Sequence, residues 1–416
     1  MSDKTDIWIY AHWKGMQSPK WMGKLSVQQV KGRKAFSFSY HQEWINSQEQ
    51  HLIDPDITWF TGQQFPNRKE NFGVFLDSMP DSWGRNLMRR RAAIYARDQK
   101  RPAPMLNDID YLLGVHDFCR MGALRFKSDP EGDFLDNDPV SPAPPWTTIR
   151  ELQHSAEWME SGIDSPEAHK WLAVLVAPGS SLGGARPKAN ILDQDSHLWI
   201  AKFPSKNDTY NKGAWEYLAY RLALNAGIMM AESRIEKVSG NYDTFFTKRF
   251  DRDKNQRIHF ASAMTMTGKN EELIRDTTPS YLDIAEFIQF SCAHSEEDLH
   301  QLWKRIVFNI LISNTDDHLR NHGFLLTREG WRLAPAYDVN PSIDKVGHAL
   351  NIDMENNSSD LLLAKSTAPW FRLGDKELSH IIDEVKTAVS SWRKIASQMG
   401  ISKQEQALMA PAFKVH

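Results

Sequence analysis

In the stretch SNTDDHLRNHG, residues 313–323, Asp316 and Asn321 stand five positions apart, and Asp338 follows in APAYDV, 334–339. Phosphoryl transfer from a nucleotide calls for this set of groups. One carboxylate, Asp316, orients the attacking hydroxyl and accepts its proton. The carboxamide of Asn321 and the carboxylate of Asp338 offer hard oxygen ligands to Mg2+, which bridges the phosphates. Protein kinases carry the same order, D-x-x-x-x-N and then an Asp after a hairpin. Two other readings stay open on these residues alone. His318 and His322 with the aspartates form a potential transition-metal set, although two histidines four apart converge only on a helix and the Asn, Asp and Gly here read as loop. A capped polar loop with no chemistry is the other, because D-x-x-x-x-N by itself is a weak signal.

The elements that must hold these groups are legible around them. Before the stretch, Ser295 and Asp298 have the pattern of a capping box, and Leu299, Leu302, Trp303, Ile306, Ile310 and Leu311 fall at helical spacing. After it, GFLLTREGWRLAPAYDV reads as a strand, a Glu329-Gly330 turn and a second strand running into Asp338. Upstream, PGSSLGGARPK (178–188) is a small-residue loop whose Gly183 and Gly184 allow backbone N–H groups close to phosphate oxygens. It is neither a Walker A loop nor GxGxxG, and a plain Gly-Ser turn is its bland alternative. KANILDQDSHLWIAKF predicts a hairpin ending at Lys202, where kinases place a phosphate-pairing lysine. NKGAWEYLAYRLALNAGI predicts an amphipathic helix stopped by Gly227; its Glu216 is either a partner for Lys202 or a surface residue. TKRFDR then predicts a strand able to serve as a hinge to adenine. The order of these pieces strengthens each of them.

The start of the chain is different in kind. IWIYAHW, WMGKLSV and KAFSFSY are short aromatic and β-branched runs that predict a small antiparallel sheet or barrel. From Pro80 the pattern turns helical, with five arginines in DSWGRNLMRRRAAIYARDQ; a solvated face and a partner or nucleic-acid surface are both compatible with them. Residues 128–146 are Pro-rich and acidic, the composition of a linker. SPEAHKWLAVLVAPG, 165–179, predicts a short helix. The division expected is therefore a β-rich domain over 1–130, a linker over 128–146, a region over 147–255 carrying the phosphate loop, and a helical catalytic lobe over 256–416. The fold class is α+β, the second part being protein-kinase-like and two-lobed.

Composition sets outer limits. At 416 residues, 41% hydrophobic and 25% charged, the chain has room for two or three lobes with cores. A net charge of −3 argues against a chain built mainly to coat nucleic acid. Two cysteines, Cys119 and Cys292, give neither a disulfide framework nor a CxxC metal site. With no signal-like N-terminus and no long apolar run, a cytoplasmic protein with no membrane partner is expected.

Taken together, SSLGGARPKA, WIAKFPS, KRFDR, NTDDHLRNHGFLL and LAPAYDV resemble the motifs of the HipA serine/threonine kinases, the toxins of HipBA-type toxin–antitoxin systems. IWIYAHWKG, MGKLS, GVFLDSMPDSWGR and MGALRF resemble the HipA N-terminal domain, so the likeness spans nearly the whole chain. It implies an ATP- and Mg2+-dependent kinase with Asp316 as base and with Asn321 and Asp338 on Mg2+. Lys202 would meet the ATP phosphates and His318 would lie near the nucleotide. Ser181, Leu182, Gly183, Gly184, Ala185 and Lys188 would cover the phosphates, and Lys248, Arg249 and Phe250 would form the hinge. Autophosphorylation of Ser181, or of the adjacent Ser180, would shut the enzyme off, since a phosphate adds about −1.5 to −2 charge where ATP's own phosphates sit. Lys248 departs from the family pattern, where an acidic residue can occur. The implied partners are a HipB-like DNA-binding antitoxin, operator DNA through it, and a protein substrate such as an aminoacyl-tRNA synthetase. The alternatives are a nucleotide-binding transcriptional corepressor with little turnover and a small-molecule or lipid phosphotransferase.

Overall fold

The computed structural model describes residues 4–30, 33–47, 49–135, 143–162, 172, 175 and 184–415. They form two units, each drawn from two stretches of sequence. One comprises Met1–Lys206 and Arg249–Ala261, the other Asn207–Lys248 and Ser262–His416. The fold class is α+β, with sheet at the start of the chain and mostly helix at its end. The predicted 165–179 helix and Ser180 to Gly183 lie largely or wholly outside the described residues.

In the first unit, strands β1 (Lys4–Ala11), β2 (Lys20–Val30), β3 (Arg33–Tyr40) and β4 (Leu124–Lys127) make an antiparallel sheet ordered β3-β2-β1-β4. Alternation sends Ile7, Ile9 and Ala11 to one face, where none is accessible. Phe38 and Phe126 of the sheet pack edge-on or tilted with Phe72 and Phe75. Helix α1 (Ser82–Asp98) starts at Asp81, whose side chain accepts the Gly84 N–H. It carries the five arginines. Arg85 lies over the Tyr111 ring and Arg90 donates to the Met159 carbonyl, while Arg89 and Arg97 are exposed. The predicted hairpin is present as β5 (Lys188–Leu192) and β6 (Leu198–Lys202), antiparallel, with Lys188 opposite Lys202.

The second unit is built on helices. Helix α2 (Lys212–Asn225) buries Trp215, Leu218, Ala219, Leu222 and Ala223, and Gly227 follows at φ 68°. Glu216 is also buried, at 6% exposure, which rules out the surface reading of that residue. Strands β7 (Ser233–Glu236) and β8 (Thr244–Lys248) pair antiparallel. Helices α3 (Tyr281–Ser291) and α4 (Ser295–Leu311) pack together, and the six apolar residues predicted for the α4 stripe are all buried. Trp215, Trp392 and Phe413 close the far end, the last two stacked at 4.3 Å.

Two expectations are corrected here. Helix α4 begins after His294, not after Ser295, and no side chain caps it. Asp298 is instead buried and accepts from Arg332 Nε at 3.1 Å and from the Leu333 N–H at 3.0 Å. A tertiary ion pair has won the carboxylate that local pattern assigned to the cap. The hairpin β9 (Gly323–Thr327) and β10 (Gly330–Leu333) forms, but β10 stops short of Asp338. Pro335 has no N–H to continue a ladder. The chain bonds instead to 229–231 through Ala336 N to Met229 O and Ala231 N to Ala336 O.

Candidate active site

Helix α4 gives way to the polar loop at Ser313, which takes φ 51°, a left-handed conformation that a serine adopts only at a cost. The loop is then fastened from several sides. The Asn314 N–H returns to the Asn309 carbonyl, the Ala349 N–H reaches the Thr315 carbonyl, and the Ala263 N–H reaches the His322 carbonyl. A short 3-10 turn, Leu319–Asn321, leads into β9.

Adjacent aspartates in this loop face opposite ways. Asp317 is 3% exposed, and its Oδ2 accepts from the Tyr281 hydroxyl at 2.5 Å, Asn309 Nδ2 at 2.8 Å and His322 Nε2 at 2.8 Å. Burial pushes this carboxyl upward, but the His322 charge and the hydrogen bonds from His322 and Tyr281 outweigh it and hold it below the ordinary range. Burial, with the Asp317 charge, pushes the Tyr281 hydroxyl well above its usual value. Asp316 points outward, with its side chain 73% exposed and one oxygen 2.8 Å from Lys345 Nζ. The loop thus anchors one carboxylate in the interior and presents its neighbour to solvent, where a reacting hydroxyl can reach it.

Asn321 is 6% exposed. Asp338 is half-buried, sits at φ 56°, and accepts from Asn340 Nδ2 at 3.2 Å. His318 Nδ1 and Thr315 Oγ1 are buried with no hydrogen-bond partner among the described residues, a state that calls for an explanation at a site. The donor chemistry suits a hard cation: a carboxamide oxygen from Asn321 and carboxylate oxygens from Asp338. It suits a transition metal less well, because His322 Nε2 is engaged by Asp317. Among the described residues, the His and acidic side chains that do converge are Asp193, Asp195 and His197, in the β5–β6 turn.

Asp316, His318, Asn321, Asp338 and Lys248 belong to the second unit; Gly184, Ala185, Lys188, Lys202, Arg249 and Phe250 belong to the first. Lys202 ends β6 and is half-buried. Gly184 takes φ 94°, a conformation open to glycine, and its carbonyl accepts from Lys188 Nζ at 3.1 Å. Ala185 is exposed beside it. Lys188 itself is 1% exposed, with its ammonium 2.6 Å from Asp81 Oδ2. Arg249 is equally committed. Its guanidinium grips Asp251 through two contacts of 2.6 Å and donates to the Cys119 carbonyl and Asn190 Oδ1, and its N–H meets the Leu198 carbonyl. Phe250 tilts against Phe260. In the second unit, Lys248 lies 3.4 Å from Glu232.

Sequence reasoning missed the buried network of Tyr281, Asn309, Asp317 and His322. A signal existed: Asn309 is a polar residue inside the apolar stripe between Ile306 and Ile310, where an unpartnered amide would be costly.

A chain from the solved complex of HipA, HipB and operator DNA of the Shewanella oneidensis MR-1 toxin–antitoxin system matches over 98% of this chain and 94% of its own, with a TM-score of 0.67 at 17% identity. The two share a fold. Residues 180–392 match the family model of the HipA-like C-terminal domain, and the chain belongs to that family. Among curated proteins, a "Putative kinase" of Haemophilus influenzae is 28% identical over 180 residues, 38% of this chain and 52% of that one. The "Putative kinase Y4mE" of Sinorhizobium fredii is 22% identical over 210 residues, 46% and 48% respectively. The chain spans about half the length of the curated relatives it matches. No helix among the described residues is long and apolar enough to cross a membrane.

Proposed function

We propose that this protein is an ATP- and Mg2+-dependent serine/threonine protein kinase that acts as the toxin of a HipBA-type pair. The observation that carries the reading is the outward-facing Asp316 on a loop locked from beneath by Asp317. Asp316 accepts the proton of a serine or threonine hydroxyl as its oxygen bonds to the γ-phosphorus of ATP and ADP departs. Asn321 and Asp338 hold Mg2+, which offsets the charge of the phosphates when bound. Lys202 pairs with those phosphates, His318 lies near the nucleotide, and the 181–188 loop covers it. In this reading Lys188 supports the loop from below, in keeping with its bonds to Gly184 and Asp81, and the 248–250 hinge offers backbone groups, since the Arg249 side chain is spent on Asp251. Ser181, or Ser180, is the self-inactivating phosphorylation site. The family and the fold support a HipB-like antitoxin, with operator DNA bound through it, as partner. An aminoacyl-tRNA synthetase is the proposed substrate class.

The test is phosphate mass mapping on purified protein with Mg2+-ATP. Wild type should gain phosphate at Ser181 or Ser180, and Asp316→Asn should gain none while still binding ATP. Wild-type phosphorylation in the Asp316→Asn protein would remove Asp316 from the role of base. ATP binding with no phosphate in either protein, on itself or on offered synthetases, would favour the corepressor.

A further inference from the structure

Between the catalytic loop and Asp338 runs a line of hydrogen bonds through three asparagines, the last joined by its backbone N–H on one side and its side chain on the other. Asn309 donates to Asp317 Oδ2 at 2.8 Å, and its Oδ1 accepts from Asn314 Nδ2 at 3.0 Å. Asn314 Oδ1 accepts the Asn340 backbone N–H at 3.3 Å, and Asn340 Nδ2 donates to Asp338 Oδ1 at 3.2 Å. Asn309 and Asn314 are 3% and 2% exposed. Because a carboxamide has a donor end and an acceptor end, the neighbours of Asn309 and Asn314 fix how both are turned, and the Asn314 oxygen in turn holds the Asn340 backbone beside Asp338. The line starts and finishes on carboxylates, which only accept, so it has no internal conflict.

Its two ends are where positioning is needed. Asp317 shares a peptide unit with Asp316, and its partner His322 adjoins Asn321. Asp338 sits in a left-handed conformation, which is costly for a residue with a Cβ and persists only where the surroundings enforce it. We propose that Asn309, Asn314 and Asn340 are positioning residues, a carboxamide relay that fixes Asp338 relative to the loop bearing Asp316 and Asn321. This rests on the phosphotransfer reading of those three residues. A merely structural role, satisfying polar groups at the end of α4, would lower stability without singling out the metal-bound nucleotide.

The experiment compares Asn314→Ala, Asn340→Ala and the double variant in the full chain. ATP binding is measured by calorimetry with Mg2+ and with EDTA, transfer by phosphate mass, and hydrogen exchange on peptides covering 313–322 and 336–342. Transfer should fall ~100-fold, the scale of a small misplacement. Mg2+-ATP should bind ~10-fold more weakly, with ATP in EDTA unchanged. Exchange at 336–342 should quicken in Asn314→Ala, and the double variant should be no worse than the poorer single one. The relay is overturned if Mg2+-ATP binding and transfer stay within about twofold of wild type, if both forms of ATP weaken equally, or if exchange at 336–342 does not move. Should buried Asn314→Ala not fold, Asn340→Ala at its half-buried position carries the same tests, with exchange read at 313–322. A wild-type protein with neither ATP binding nor transfer would sink the phosphotransfer reading and the relay's catalytic role together. Unchanged exchange in the variants, with a wild type that does transfer, would sink the relay alone.

Discussion

Single residues in this protein are distinguished by which charge is buried and what faces it. Asp251 is inaccessible and held by Arg249 and Arg252. Burial pushes its carboxyl up, but the two guanidinium charges outweigh that and hold it at about 2, against an ordinary 3.8. Burial also drags Arg252 down to about 9, so the attraction does not fully offset desolvation of the cations. The depressed carboxyl contributes stability that is complete above pH 4 and lost as pH falls through 2, about 2 kcal/mol in all. Asp251→Asn should cost more at neutral pH, about 3–5 kcal/mol, because it leaves buried cations without a counter-charge. Urea unfolding at pH 7 and across pH 2–5 should show the loss at pH 7 and a flatter acid dependence in the variant. None of this was legible in KRFDR, which reads as a hinge strand. The sequence shows neither that Arg249 turns inward nor that residues 119–122 come to meet it, because those contacts join positions about 130 apart in the chain.

At the scale of elements, the loop is only as well placed as the helices that feed it. Helix α3 opens with a capping box in which Ser280 accepts the Leu282 N–H and Asp283 accepts the Ser280 N–H. The Ser280 hydroxyl also donates to the Asp353 carbonyl, with the Asn351 carbonyl within reach as a second acceptor. The next residue is Tyr281, a donor to Asp317. Ser280→Ala should therefore cost about 1–2 kcal/mol by thermal or urea unfolding and should lower phosphate transfer by more than Ser402→Ala, a cap on another helix. Equal effects on transfer would mean that the α3 cap stabilises without positioning. Elements of this kind were well forecast where periodicity was strong: the α4 stripe, the helix ending at Gly227 and the β5–β6 hairpin all appear. Local pattern failed where a distant partner competed, as when Arg332 claimed Asp298. The spacing of Asp316, His318 and Asn321 within 316–321 was legible as a motif, but which aspartate faces solvent was not, since both carry the same side chain and only burial separates them.

For the whole molecule, the sequence path matters as much as the contacts. The backbone passes from one unit to the other after Lys206, returns at Arg249, and crosses again after Ala261. The family match, 180–392, begins inside the first unit and ends at Trp392. A fragment with those limits keeps Lys188 without Asp81, Arg249 without the carbonyls of residues 119 and 120, Asp251 without the Gly122 N–H, and Trp392 without Phe413. Each loss exposes a group that the full chain buries and pairs. The fragment should bind a hydrophobic dye and melt without a cooperative transition in calorimetry, whereas the full chain should show one or two sharp transitions. The order of segments also constrains how the gene could ever be divided. A break at any point leaves at least one unit short of part of its own sequence, so two separately translated halves would have to exchange segments in order to mature. Fission into a regulatory gene and a catalytic gene would first require the 249–261 segment, or the 207–248 segment, to be moved.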